Sequence, residues 1–158
     1  MSDFNHSTTM GRLAQASTSK SSTHTLANVT PLVARAFLAL IFLVVGVGKI
    51  PGWEGTVGYM ASKGMPLIPL FLAAAIAVEV LGGLSLLLGF KARWGALVLA
   101  AFLVPVTLIF HGFWALEGME RQMQMVSFMK NVGLMGGLLL VALHGSGRYS
   151  IDSWRERS

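Results

Sequence analysis

The sequence predicts an all-α protein, a four-helix transmembrane bundle with its N- and C-termini cytoplasmic, on three observations. Of its 158 residues, 54% are hydrophobic and only 12% charged, about half the charged share of a soluble domain. Four apolar stretches each approach the roughly 20 residues that cross a hydrocarbon core. Runs at 81–88, 96–109 and 132–143 lack any charged face, where a helix of a soluble bundle carries a polar stripe. The mean hydropathy of +0.65 agrees. A folded chain of this length leaves much of its area in water, so this composition excludes a soluble enzyme. It also excludes a disordered chain, and the absence of cysteine excludes a disulfide-stapled domain.

The elements follow in order. Residues 1–30 hold 12 Ser and Thr and no apolar core of a signal peptide, which reads as a disordered polar cytoplasmic tail. Thr30-Pro31 is an N-cap followed by proline at the first helical position. The membrane domain is expected over 31–147, with spans at about 32–50, 67–90, 94–116 and 125–143. Residues 148–158 form a cytoplasmic C-terminal tail. Between the first two spans, 54–63 reads as a short interfacial helix with Val57 and Met60 inward, stopped by Gly64 and Pro66. The Gly89–Arg93 connection is short enough to make the second and third spans antiparallel neighbours, and Pro105 is expected to kink the third. Orientation comes from the basic residues. Eight (Arg12, Lys20, Arg35, Lys91, Arg93, Arg148, Arg155 and Arg157) fall on the side of the termini, and four (Lys49, Lys63, Arg121 and Lys130) on the other. Trp53, Tyr59, Trp94 and Trp114 sit near span ends, as interfacial aromatics do.

A net charge of +5 in a soluble protein would suggest nucleic acid, but these bases are scattered singly at span edges, so no nucleic-acid partner is expected. Lack of cysteine removes CxxC redox pairs, iron–sulfur ligation and thiolate zinc. His111 and His144 fall at opposite faces and cannot share one haem. Met119, Met123, Met125 and Met129 read as apolar packing, and no metal site is expected.

Charge within the spans is the informative feature, because a charged side chain at a helix centre costs at least about 2.5–3.5 kcal/mol. Glu79 lies about 16–18 Å from either end of its span at 1.5 Å per residue, which is the midplane. It needs a cationic partner or a proton. Lys130, beside Asn131, is the deepest base and the expected partner, although its depth differs by about 10 Å, so tilt or a bridging water is required. Lys49 reads equally well as a lysine snorkelling from the end of its span, and Arg35 as a cytoplasmic-edge anchor. His111 lies one turn before the end of the third span. A polar cavity opening outward is expected from Lys49, Glu79, His111, Lys130 and Asn131. Gly46, Gly48, Gly82, Gly83, Gly133, Gly136 and Gly137 flank these groups and are expected to let helices pack closely.

The first span ends in Gly46-Val47-Gly48-Lys49, followed by Gly55-Thr56-Val57-Gly58-Tyr59-Met60 and Gly64-Met65-Pro66. Then come Glu79-Val80-Leu81-Gly82-Gly83, Phe110-His111-Gly112-Phe113-Trp114 and Lys130-Asn131. In this order, over about residues 32–152, the set resembles the DoxX family of small four-helix membrane proteins. The resemblance implies a bacterial-type inner membrane and Arg35, Lys49, Glu79, His111 and Lys130 as the family's characteristic polar positions. It also implies membrane oxidoreductase assemblies, thiosulfate:quinone oxidoreductases among them. The chain has no residue set that carries electrons, so this function calls for a quinone cofactor and redox partner subunits. A basic group or His111 would then bond the quinone carbonyl, with Glu79 relaying protons. Two other functions fit the same residues. One is a carrier or binder of a small solute, which would work as a homodimer. The other is a non-catalytic assembly subunit whose buried charges fix helix register.

Overall fold

The computed structural model describes the backbone of residues 4–158 and the side chains from residue 26 on. Six helices run in order: α1 Phe4–Gly48, α2 Trp53–Ser62, α3 Ile68–Leu88, α4 Ala92–Phe110, α5 Gly118–His144 and α6 Ile151–Arg155. Four segments are long and apolar enough to cross a membrane: Leu26–Gly48, Ile68–Leu88, Ala92–Phe110 and Gly118–His144.

Residues 4–30, expected in the disordered tail, already belong to the first helix, and of these the side chains from residue 26 on are described. Thr30 is therefore not an N-cap. Its hydroxyl donates to the Leu26 carbonyl at 2.8 Å, and Pro31 sits inside α1, as membrane helices tolerate when side chains satisfy freed backbone groups. The interfacial helix appears as α2 with Met60 buried, and Gly64 follows it at φ 69°. α3 closes with a Schellman turn: Gly89, at φ 65°, donates to the Leu86 carbonyl at 3.3 Å, and Phe90 to that of Ser85 at 3.1 Å. The third span is shorter than expected, ending at Phe110 rather than 116. Beyond His111 and Gly112 the chain turns so that the Phe113 ring packs edge-on against Phe128 of α5 at 5.5 Å. α5 conversely starts at Gly118, seven residues before the expected 125.

α1 packs on α3, α3 on α4 and α4 on α5, while α5 returns to α1 along only a short stretch. Small residues set the close approaches. A side chain at Gly82 would strike Leu99, one at Gly83 would strike Leu43, and one at Gly137 would press on Leu38. Gly48, Gly133 and Gly136 have nothing within 4 Å of an added Cβ, so the packing role expected of them is not seen. Ala39, Phe42, Leu86, Leu99 and Leu138 fill the core, and the outward Leu, Val and Phe side chains stay exposed, as a lipid-facing surface requires.

Arg35 is not an edge anchor. It is 1% exposed, and its Nη2 donates to the Tyr149 carbonyl at 2.7 Å. The guanidinium fills the space above Gly89, where an added Cβ would collide with Arg35 Nη1 and with Ser150. Sequence alone conceals this because the partner is a backbone atom 114 residues away. The C-terminal segment completes the lock. Asp152 accepts from the Lys91 and Ala92 N–H groups at 2.8 and 3.2 Å, capping α4 from another helix. The Asp152 N–H in turn donates to the Gly89 carbonyl at 3.0 Å.

Candidate functional site

The site begins with Gly46. Lacking a side chain, it lets α1 approach α3 so closely that an added Cβ would sit 2.9 Å from Glu79 Cβ. Lys49, three residues further on in the turn that follows α1, therefore stands beside the carboxylate. Its ammonium lies 2.7 Å from Glu79 Oε1 and 2.5 Å from Oε2. This is the one ion pair among the described residues, and both hydrogen bonds are charge-assisted. The Glu79 side chain is 7% exposed and that of Lys49 22%.

This corrects two expectations. Lys49 does not snorkel outward; its flexible four-carbon stem turns inward to Glu79. Lys130 is not the partner: it has no carboxylate within 4 Å among the described residues.

A cavity of about 220 Å³ nevertheless collects Lys49, Glu79, His111, Lys130 and Asn131, with contributions from all four spans and from α2. Its remaining wall is mostly apolar, including Phe42, Phe102 and Phe110. Buried Asn131 donates from Nδ2 to Thr107 Oγ1 at 3.0 Å, which fixes the amide and leaves its carbonyl oxygen as an acceptor. His111 Nδ1 lies 2.8 Å from Gln124 Oε1. That contact orients the ring and leaves Nε2 free to face the cavity as a second hydrogen-bonding nitrogen.

Sequence reading missed Thr107 and Gln124, the groups that orient Asn131 and His111. It also missed Thr56 and Tyr59, which line the cavity from α2. The Tyr59 hydroxyl donates to the Phe110 carbonyl at 3.0 Å, tying α2 down over the end of α4. One signal was available: Thr56, Tyr59 and Met60 share a helix face at i, i+3 and i+4. His144 lies at the opposite end of the bundle, near α6. Met119, Met123 and Met129 are exposed rather than packed. Among the described residues no three His, Asp or Glu side chains gather as a metal site would need.

Four membrane-length helices packed around an ion pair and a mostly apolar cavity that collects a few polar groups define a small multi-pass membrane protein. The DoxX family profile matches residues 30–112. Over 129 residues, 80% of this chain and 92% of the relative, the sequence is 42% identical to the inner membrane protein YqjF of Escherichia coli. Over 121 residues, 77% of this chain and 86% of the relative, it is 36% identical to the inner membrane protein YphA of the same organism. The chain belongs to the DoxX family and is a multi-pass protein of the inner membrane. A shorter similarity, 33% identity over 46% of this chain and 53% of the relative, is to CatD of Bacillus subtilis, provisionally named an oxidoreductase. No solved structure matches the chain.

Proposed function

We propose that the interior cavity is a quinone-interacting site and that the chain serves as a membrane subunit of an oxidoreductase assembly. The observation that carries this reading is the convergence of the Lys49–Glu79 pair, His111, Lys130 and Asn131 on one otherwise apolar cavity. The apolar wall suits a flat ring, and the cationic and imidazole groups suit its carbonyl oxygens. At about 220 Å³ the space lies below the roughly 300–1,000 Å³ of drug-sized pockets, so it holds a ring while a tail would leave between helices. A bound quinone supplies two-electron acceptor chemistry, with electrons delivered by a partner subunit. The chain's own part is electrostatic and protonic. Lys130, free of any carboxylate, places positive charge where an oxygen gains negative charge. His111 Nε2 exchanges a proton, and Glu79, neutralised by Lys49, keeps the polar path open. The name of CatD supports the reading weakly.

The test is binding of a short-tailed benzoquinone to the protein in nanodiscs, read by quenching of tryptophan emission against empty nanodiscs. Saturable binding is expected, weakened about tenfold or more by Lys130→Met. Non-saturable partitioning, identical in empty discs, refutes the proposal. A second reading, transport or binding of a small solute, is favoured by the cavity's small volume. Proteoliposome flux abolished by Glu79→Gln would establish it in place of the first. The orientation belongs with these proposals: the excess of Arg and Lys at the α6 end puts that end in the cytoplasm.

A further inference from the structure

Two spaces at the α6 end join into a single feature. The first is a polar recess of about 650 Å³ lined by Lys91, Arg93, Trp94, His144 and Arg155, among others. The second is a lateral groove of about 530 Å³ between α3 and α4, running from Ala77 and Val98 to Phe90 and almost wholly apolar. Lys91 and Trp94 line both, so the groove and the recess adjoin at these two side chains.

Two acids, Asp152 and Glu156, also line the recess against the cations Lys91, Arg93 and Arg155, so the cations outnumber the acids by one. Among the described residues none of Lys91, Arg93 or Arg155 has a carboxylate within 4 Å. The acid nearest the turn, Asp152, is committed to the backbone N–H groups of Lys91 and Ala92. Lys91 and Arg155 are gathered on one ring: Lys91 Nζ is 5.9 Å from the Phe90 centroid and Arg155 Cζ is 5.8 Å from it. Like charges held at one ring, with Asp152 engaged by backbone N–H groups, leave the recess a net positive charge that favours an anion. The groove meanwhile has the dimensions of one leaflet. From Ala77 to Leu88 the helix rises about 16 Å at 1.5 Å per residue, close to half of a hydrocarbon core about 30 Å thick. A recess of net positive charge, adjoining an apolar groove about one leaflet long, is complementary to a molecule with an anionic head and a long hydrocarbon tail.

We infer that one anionic phospholipid seats on this face, its phosphate among Lys91, Arg93 and Arg155 and one acyl chain in the α3–α4 groove. The site is separate from the interior cavity and does not rest on the quinone reading. Its specificity is electrostatic at the head and sterically permissive along the chain. Zwitterionic lipids share the tail but carry a positive group that weakens their attraction to a recess of net positive charge.

Native mass spectrometry of the full chain, released from nanodiscs containing equal phosphatidylglycerol and phosphatidylethanolamine, tests this. One retained phosphatidylglycerol per chain is expected. The Lys91→Gln/Arg93→Gln/Arg155→Gln variant should lose its preference for the anionic lipid about tenfold or more. Arg148→Gln/Arg157→Gln, outside the recess at the same end, should keep it. Leu84→Trp, which fills the groove and leaves the cations in place, should also lower retention. Variant melting curves matching wild type separate lost binding from lost folding. Should the triple variant melt early, Leu84→Trp with inorganic phosphate competition decides the outcome. The inference is overturned by equal retention of the two lipids or by loss of preference in the Arg148/Arg157 control. It is also overturned if Leu84→Trp has no effect while millimolar inorganic phosphate displaces the lipid, which marks a site for free phosphate alone.

Discussion

Replacing Lys49 with methionine keeps the length of the stem and removes the charge, leaving Glu79 without the cation that pairs with it among the described residues. The Glu79 carboxylate is 7% exposed and receives two hydrogen bonds from that ammonium alone. Stranding a buried charge costs about 3–5 kcal/mol in soluble proteins, and insertion scales give about 2.5–3.5 kcal/mol for a charge at a span centre. Because the carboxyl group can escape part of this by taking a proton, we expect Lys49→Met to destabilise the bundle by about 2–3 kcal/mol. Glu79→Gln costs less, about 1 kcal/mol, because Lys49 is 22% exposed and the amide oxygen still accepts a hydrogen bond. The double variant removes both charges and should recover most of the loss, giving a coupling of about 2 kcal/mol. Unfolding in mixed micelles, followed by tryptophan emission, measures all four corners of the cycle. Single-variant costs that simply add, with coupling below about 0.5 kcal/mol, would falsify the assignment of Lys49 and Glu79 as a stabilising pair.

Three other outcomes are expected. Gly82→Val should destabilise the bundle by about 1–3 kcal/mol through overpacking, since even a Cβ there lies 2.6 Å from Leu99 Cγ; Gly136→Ala, facing open space, should be neutral or slightly stabilising in the same melts. Asp152→Ala removes both acceptors at the start of α4 and should cost about 1–2 kcal/mol, with Asp152→Asn retaining part of it. Arg35→Met frees the Tyr149 carbonyl and should speed proteolytic clipping within 145–158 at unchanged melting of the spans, whereas an unchanged clipping rate would remove Arg35 as the tie.

Where sequence and structure agree, the reason is chemical necessity. Four spans follow from apolar runs that no soluble fold could cover, and Glu79 stood out because a carboxylate at mid-span demands an explanation. Partner assignment failed because depth was counted along straight, equally placed helices. Close approach of α1 and α3 at Gly46 brings Lys49 to Glu79 despite their different nominal depths. The spacing of Gly46 and Lys49, three residues apart, held that information. Span ends were misjudged where aromatic packing competed with hydropathy. Trp114 and Leu116 are apolar, yet Phe113 turns to Phe128 and α4 stops at Phe110. Arg35 was beyond reach, since a carbonyl 114 residues away leaves no trace in local pattern.

That long-range tie has a bearing on biogenesis. Arg35 lies in the first of the four spans, while Tyr149 and Asp152 follow the last of them. Until the segment after α5 has been made, Arg35 has only the Pro31 carbonyl of its own helix to bond, and the start of α4 has no carboxylate over its amides. A product truncated before Tyr149 would therefore hold all four spans and still lack the clasp that fastens them.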